Sequence, residues 1–334
     1  MKIKISDPTL RDGNHAINHS IKEKDIKNYC QIAEKCRINI IEVGHGNGIG
    51  ASSLQVGISK INDDLIIKTA RKNLKKTKLG IHSIPGFSSI EKNLKPAIDL
   101  GVDVVRTASH CTESNTQIQQ ILFCKKKKIK VYSTLMMSHM ISNKQLLEDA
   151  KILASNGVDG IILMDSAGYL LPEEVEKKIK ILKKIKSLEV GFHAHNNLGL
   201  AIINSVKAII SGAEIIDATS YGFGAGAGNA SLQTLVFALK KYKIKCDIDD
   251  IHLDALSSVA GSFAFPPINN LHTLLSGFYG IFSGFKPHII RAIKKYNLKA
   301  EDLYRELGKL KPVAGQEDLI ITVAKKLFKK KNNS

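Results

Sequence analysis

Eight short runs of β-branched and other apolar residues recur along the first 220 positions. They are KIKIS (2–6), INIIEVG (38–44), KLGIHSI (78–84), VDVVRTAS (102–109), IKVYSTLMM (129–137), VDGIILMD (158–165), LEVGFHAH (188–195) and AEIIDATS (213–220). Runs this apolar and this short fit strands buried on both faces, as in a parallel sheet. Between them lie segments with apolar residues at helical spacing, such as SIKEKDIKNYCQIAEKC (20–36) and SNKQLLEDAKILASNG (142–157). Gly101, Gly157 and Gly212 stand where a helix ends ahead of the next strand. The alternation predicts an α/β fold, a (β/α)8 TIM barrel over residues 1–240. An open doubly wound sheet is disfavoured because no GxGxxG opens a helix after the first strand. Past residue 235 the strand rhythm fades, and 247–263 and 285–310 read as helices. Residues 241–334 are therefore predicted to form a helical C-terminal appendage, with the final KKKNNS frayed.

Composition narrows the class. A chain of 334 residues with 43% hydrophobic residues can bury a sizeable core. The longest apolar runs are far too short for a bilayer, and MKIKISDPTL lacks the apolar core of a signal peptide, so a soluble, cytoplasmic protein is expected. Five cysteines without a CxxC pair fit reduced thiols rather than a disulfide framework or zinc ribbon. The net charge of +18 raises the question of nucleic acid. The lysines, however, fall in short runs such as RKNLKKTK (71–78) and KKIKILKKIK (177–186), on helices or just before strands, where they form a solvated outer face. No recognition-helix or RNA-binding signature accompanies them, so nucleic-acid binding is not expected.

The residues that follow the strands are polar and reactive: DPTLRDGNH, HGNG, HCTE, DSAG, HAHNN and YGFGAGAGN. In a β/α barrel these segments gather at one mouth, the C-terminal ends of the strands. His193 and His195 alternate on the seventh strand, so both would face the barrel axis. With Asp12 from the first loop they form a candidate metal site of two imidazoles and one carboxylate. Such a set leaves open positions for a substrate that chelates through two oxygens, as an α-keto acid does. Nitrogen and oxygen ligation without thiolate suits Mn²⁺ or Mg²⁺, with Zn²⁺ or Co²⁺ as alternatives.

DPTLRDGNHA, HAHNNLGLAIINS and GAGAGNASL together resemble the metal-dependent pyruvate aldolases, a branch of the barrel superfamily that includes isopropylmalate synthase and hydroxymethylglutaryl-CoA lyase. Within that branch the chain is most similar to the 4-hydroxy-2-oxovalerate aldolase family, through IEVGHGNG, ASHCTE, LMMSHMI, MDSAG and AGQEDLI. The resemblance implies reversible cleavage of a 4-hydroxy-2-oxo acid to pyruvate and an aldehyde. It implies Asp12, His193 and His195 as ligands of Mn²⁺, Arg11 over the developing enolate charge, and His15 as general base. It also implies that Arg11, Asp12, Ser166 and His193 meet the substrate, with Ser166 taking the pyruvate carboxylate, while Asn229 and the glycines of GFGAGAGN let backbone approach closely. A further implication is an acylating acetaldehyde dehydrogenase partner contacted by the C-terminal domain, within a homo- or hetero-oligomer. Plainer readings stay open: Arg11 as a structural ion pair with Asp12 or another acid, His15 as a helix-capping loop residue, and His45, His110 and Glu113 as packing at the mouth.

Two segments depart from the family pattern. His82, Ser83 and Ile84 stand where leucines usually line the aldehyde pocket, and Phe278, in GFYGIFSGF (277–285), stands where a tyrosine usually enters the site, so Phe278 is itself expected to meet the substrate there. The acceptor pocket is therefore expected to differ from one built for acetaldehyde. A lysine Schiff-base mechanism is disfavoured, because no predicted strand ends in lysine at the mouth and Lys130 lies at the opposite end. A Claisen-type acyl-CoA condensing enzyme sharing Arg11, Asp12 and the histidine pair is the enzymatic alternative, and a non-catalytic basic barrel the other.

Overall fold

The computed structural model describes residues 3–332; Lys2, where the first predicted strand began, and Asn333 and Ser334 of the tail lie outside them. Eight parallel strands close into a barrel in chain order. They are β1 (Lys4–Leu10), β2 (Ile40–Val43), β3 (Lys78–Ser83), β4 (Val104–His110), β5 (Lys130–Met136), β6 (Gly160–Asp165), β7 (Glu189–Ala194) and β8 (Ile215–Asp217). Closure pairs Lys4 with Ile215 and Ser6 with Asp217. The ring of barrel helices is α1 (Glu23–Lys35), α2 (Asp63–Asn73), α3 (Lys95–Asp99), α4 (Ile118–Lys126), α5 (Asn143–Ser155), α6 (Pro172–Leu182), α7 (Ala201–Ile210) and α8 (Leu232–Lys241).

Alternate strand residues fill the interior in layers. At the N-terminal end Lys4 and Lys130 both pair with Glu189, at 2.6 and 2.5 Å, which places Lys130 far from the mouth. Above them Ile40, Val104, Tyr132, Ile162 and Ile215 form an apolar layer. Two residues further along the same strands stand Glu42, Arg106 and Asp217, so the next layer is charged and buried.

The C-terminal helices are α9 (Leu253–Gly261), α10 (Leu271–Tyr279), α11 (Lys286–Tyr296), α12 (Ala300–Leu310) and α13 (Asp318–Asn332). The expected boundary at 240/241 falls inside the barrel's own apolar core. Helix α9 packs on α1 and adds Leu253, Leu256 and Ala260 to that core, and a second core, including Leu275, Ile289, Tyr304 and Ile320, is built by α10–α13. The predicted fraying of the tail is also corrected: α13 runs to Asn332, and the Lys331 amine donates to the carbonyl of Asn297 at 3.0 Å. Among the described residues no helix is long and apolar enough to cross a membrane.

Candidate active site

Strand β1 delivers Arg11 to the mouth, and a short 3-10 helix, Asp12–Ile17, follows at once. The chain leaves this turn through Asn18 and His19, both at left-handed φ (49° and 58°), a conformation that costs a non-glycine residue about 1 kcal/mol. The turn carries Arg11, Asp12 and His15 together. Arg11 is buried; its Nε donates to Glu42 at 2.5 Å and its Nη1 to Asp12 Oδ1 at 2.8 Å. Its Nη2 is buried with no hydrogen-bond partner among the described residues.

Asp12 also accepts from Asn229 Nδ2 at 2.5 Å. Burial works against its ionisation, but Arg11 and the nearby imidazoles outweigh that and hold the carboxyl well below the usual carboxylate range. The loop bearing Asn229 pairs with the end of β7: Asn196 N–H donates to Gly228 O and Ala230 N–H to Ala194 O. Glycine is required at 224 for this approach, since a Cβ there would lie 2.6 Å from Asp12 Oδ2.

His193 and His195 project from β7 and its exit. His193 Nδ1 lies 2.8 Å from Asp217 Oδ2, which sets it as the protonated nitrogen and leaves Nε2 with its lone pair. The two Nε2 atoms face each other at 3.3 Å. Two cis donors each about 2.1 Å from one ion would stand about 3 Å apart. Ligand atoms of Asp12, His193 and His195 all lie within 4.8 Å of one another, one group among the described residues spaced to hold an ion. Burial pushes His195 down to about 4, so it is neutral and able to ligate near neutrality. A carboxylate and two unprotonated nitrogens converging in a buried space fit a divalent cation.

The chain is matched over residues 2–260 by the HMGL-like family and over 268–329 by the DmpG-like communication domain. It is 47% identical to a 4-hydroxy-2-oxovalerate aldolase of Spirochaeta aurantia, across 98% of this chain and 97% of that one. The chain belongs to the 4-hydroxy-2-oxovalerate aldolase family. The corresponding protein of Pectobacterium atrosepticum is 45% identical across 100% and 98% of the two chains. The carboxyl transferase domain of Rhizobium etli pyruvate carboxylase superposes with a TM-score of 0.80 at 14% identity, covering 98% of this chain and 61% of that one, a likeness of fold.

In this member of the 4-hydroxy-2-oxovalerate aldolase family, the structure gathers Arg11, Asp12, His193, His195 and Asn229 at one mouth. His15 stands beside them, partly accessible, its ring against the backbone of Gly46 and edge-on to His19 at 5.0 Å. Burial lowers its pKa, so it too is neutral near pH 7. His45 stacks on His19 at 3.6 Å, and Glu113 is exposed. Ser166, after β6, accepts from Met137 N–H at 2.9 Å and keeps its own hydrogen to donate. Phe278 does not enter: it lies 65% exposed on α10 with its ring against Tyr279. The C-terminal segment meets the site loops through other residues, with Gly277 against Asn197 and Leu198, and Ser283 Oγ accepting from Asn197 Nδ2 at 3.3 Å. Sequence reasoning missed Glu42, Arg106 and Asp217. Their signal was a charge inside each apolar strand run, two residues beyond an inward apolar position.

Proposed function

We propose that this chain is a carbon–carbon lyase that reversibly cleaves a 4-hydroxy-2-oxo acid to pyruvate and an aldehyde, with Mn²⁺ held by Asp12, His193 and His195; Mg²⁺, Co²⁺ and Zn²⁺ are alternatives. The observation that carries the reading is the convergence of those three ligands beside the unsatisfied Arg11 Nη2. When bound there, the ion would supply a Lewis acid for the negative charge that develops on C–C cleavage. Arg11, committed to Glu42 and Asp12 through Nε and Nη1, keeps Nη2 for the oxygen that gains charge. His15, neutral by burial, removes the C4 hydroxyl proton and returns it in the condensation direction. Ser166 offers its remaining hydrogen to the pyruvate carboxylate. His82 is 2% exposed on β3, with Nδ1 buried and without a hydrogen-bond partner among the described residues, and this supports an aldehyde pocket that tolerates polar groups.

The test is pyruvate release from 4-hydroxy-2-oxopentanoate and from hydroxylated homologues, with Mn²⁺ and after chelation. Absence of metal-dependent release from every substrate would end the proposal. No observation favours the Claisen alternative.

Under the same reading an acylating acetaldehyde dehydrogenase docks on the C-terminal region. Supporting this, α10 turns Leu271, Leu274 and Phe278 to solvent at 61%, 43% and 65% exposure, and Phe265 and Ile268 beside it are 88% and 81% exposed. An apolar stripe of that kind marks an interaction surface. Five free cysteines suit a cytoplasmic setting.

A further inference from the structure

A buried chain of charges runs beneath the candidate metal ligands. Asp12 Oδ1 meets Arg11 Nη1 at 2.8 Å, and Arg11 Nε meets Glu42 Oε1 at 2.5 Å. Glu42 Oε2 meets Arg106 Nε at 3.3 Å, Arg106 Nη1 meets Asp217 Oδ2 at 2.5 Å, and Asp217 Oδ2 meets His193 Nδ1 at 2.8 Å. The chain thus begins on one metal ligand and ends on another. Every side chain in it is at most 5% exposed, so no contact is screened by water. Arg106 comes from β4 and Asp217 from β8, strands that lie opposite each other in an eight-stranded ring, so Arg106 reaches across the barrel interior. Nothing else among the described residues joins the Arg11–Glu42 half to the Asp217–His193 half by an ion pair.

We propose that Arg106 is a positioning residue that sets the metal affinity of this site by holding Glu42 and Asp217, and through them Arg11 and His193, in one arrangement. Asp217 serves two partners with one oxygen: it anchors Arg106 and accepts the His193 Nδ1 proton, which keeps Nε2 free as a ligand. Without the guanidinium, Glu42 and Asp217 are two buried carboxylates lacking their shared cation, and each must move or take up a proton. A displaced Asp217 no longer fixes the His193 ring or its tautomer. A displaced Glu42 lets Arg11 turn further onto Asp12 and compete with a cation for that carboxylate. Partners of ligating imidazoles of this kind typically change metal affinity by about 10–100-fold when removed. The inference rests on the metal reading above.

The experiment titrates metal-free chain with Mn²⁺ and measures the unbound ion by its electron paramagnetic resonance signal. The set comprises the parent, Arg106→Gln, Arg106→Lys, Asp217→Asn and, as a control, Arg71→Gln, which breaks a part-exposed pair with Asp103. Near-UV circular dichroism verifies the fold of each. Arg106→Gln and Asp217→Asn are expected to raise the Mn²⁺ Kd by about 10–100-fold. Arg106→Lys is expected to recover part of that loss, and the control to match the parent. Folded Arg106→Gln or Asp217→Asn binding within twofold of the parent overturns the proposal, because an arginine needed only for barrel stability would leave the Kd of folded protein unchanged. Should the glutamine variant not fold, Asp217→Asn and Arg106→Lys decide by the same criterion. A parent that binds no Mn²⁺ overturns the metal reading itself, a failure visible in the parent alone.

Discussion

Gly224→Ala adds one methyl group at the tightest point of the site without demanding a left-handed backbone, since Gly224 is absent from the positive-φ glycines. Its Cβ would stand 2.5 Å from Asn229 Nδ2 and 2.6 Å from Asp12 Oδ2. Ordinary contact begins near 3.4 Å, so the amide and the carboxylate must each retreat by about 0.8–0.9 Å. Neither has slack. Asp12 is tied to Arg11 at 2.8 Å, and Asn229 is tied to Phe223 O at 3.0 Å as well as to Asp12. The strain therefore falls on the placement of the carboxylate proposed as a metal ligand. A misplacement of about 1 Å costs on the order of 100-fold in rate, equivalent to about 2.7 kcal/mol. The assay is metal-dependent pyruvate release together with Mn²⁺ affinity, and both should fall by about that factor while overpacking costs about 1–3 kcal/mol of stability. Gly199→Ala is the control. Its φ is +74° with nothing within 4 Å, so it should cost about 1 kcal/mol of stability and leave Mn²⁺ affinity unchanged. A folded Gly224→Ala protein with parental affinity and rate would refute the placement of Asp12 at the ion.

Other consequences concern the base, the barrel interior and the ion. His15→Ala should lower kcat by about 10²–10⁴-fold while leaving Mn²⁺ affinity intact, and the parent's rate should rise with pH through an apparent pKa below the ordinary imidazole value; a parental kcat in the variant would remove His15 as base. Burial holds His82 at about 3 against 6.5, so between these values the unfolded chain binds a proton that the native chain refuses. Its contribution is therefore complete above pH 6.5 and is lost as pH falls, at about 1.4 kcal/mol per pH unit. Urea unfolding of His82→Leu should accordingly show a shallower decline in stability between pH 6.5 and 4.5, and an unchanged slope would contradict the burial of a neutral imidazole. Saturating Mn²⁺ at about 100 times its Kd should stabilise the native chain by about 2.7 kcal/mol, read as a fall in Tm on chelation; equal Tm values in both states would argue against a specific site.

Much of this architecture was legible in local pattern. The eight apolar runs fall on the eight strands because a parallel barrel strand is buried on both faces, and that burial shows in sequence as near-continuous apolarity. The His193–His195 pair was readable from the two-residue strand period alone. The charged layer was less so. Glu42, Arg106 and Asp217 each follow an inward apolar residue by two positions, but that Arg106 meets Asp217 depends on barrel closure, a contact between strands 111 residues apart. Phe278 illustrates the sensitivity of helix phase. Successive helical residues point about 100° apart, so Gly277 faces Asn197 while its neighbour faces solvent. The late domain boundary follows from α9 having an apolar face that α1 covers, which periodicity marks as buried without saying against what.

The net charge of +18 belongs to the whole chain and says little of the site, because the lysine runs lie mainly on the outer helices while the site lies within the barrel. Along the buried chain the carboxylates of Asp12, Glu42 and Asp217 stand against the guanidiniums of Arg11 and Arg106, a sum of −1 over these five side chains. A divalent ion changes that sum to +1, and a monoanionic 2-oxo acid then changes it to zero. In a low-dielectric interior each uncompensated unit is costly, so the metal-free site attracts a cation and repels the acid. Binding should therefore be ordered, the ion first and the acid second. Pyruvate titrated calorimetrically into metal-free chain should give no measurable heat, and the same titration after Mn²⁺ loading should saturate. Equal pyruvate affinity in the two states would mean that the protein's own groups recognise the acid without the ion, and that the charge balance of the barrel interior has no part in the order of events.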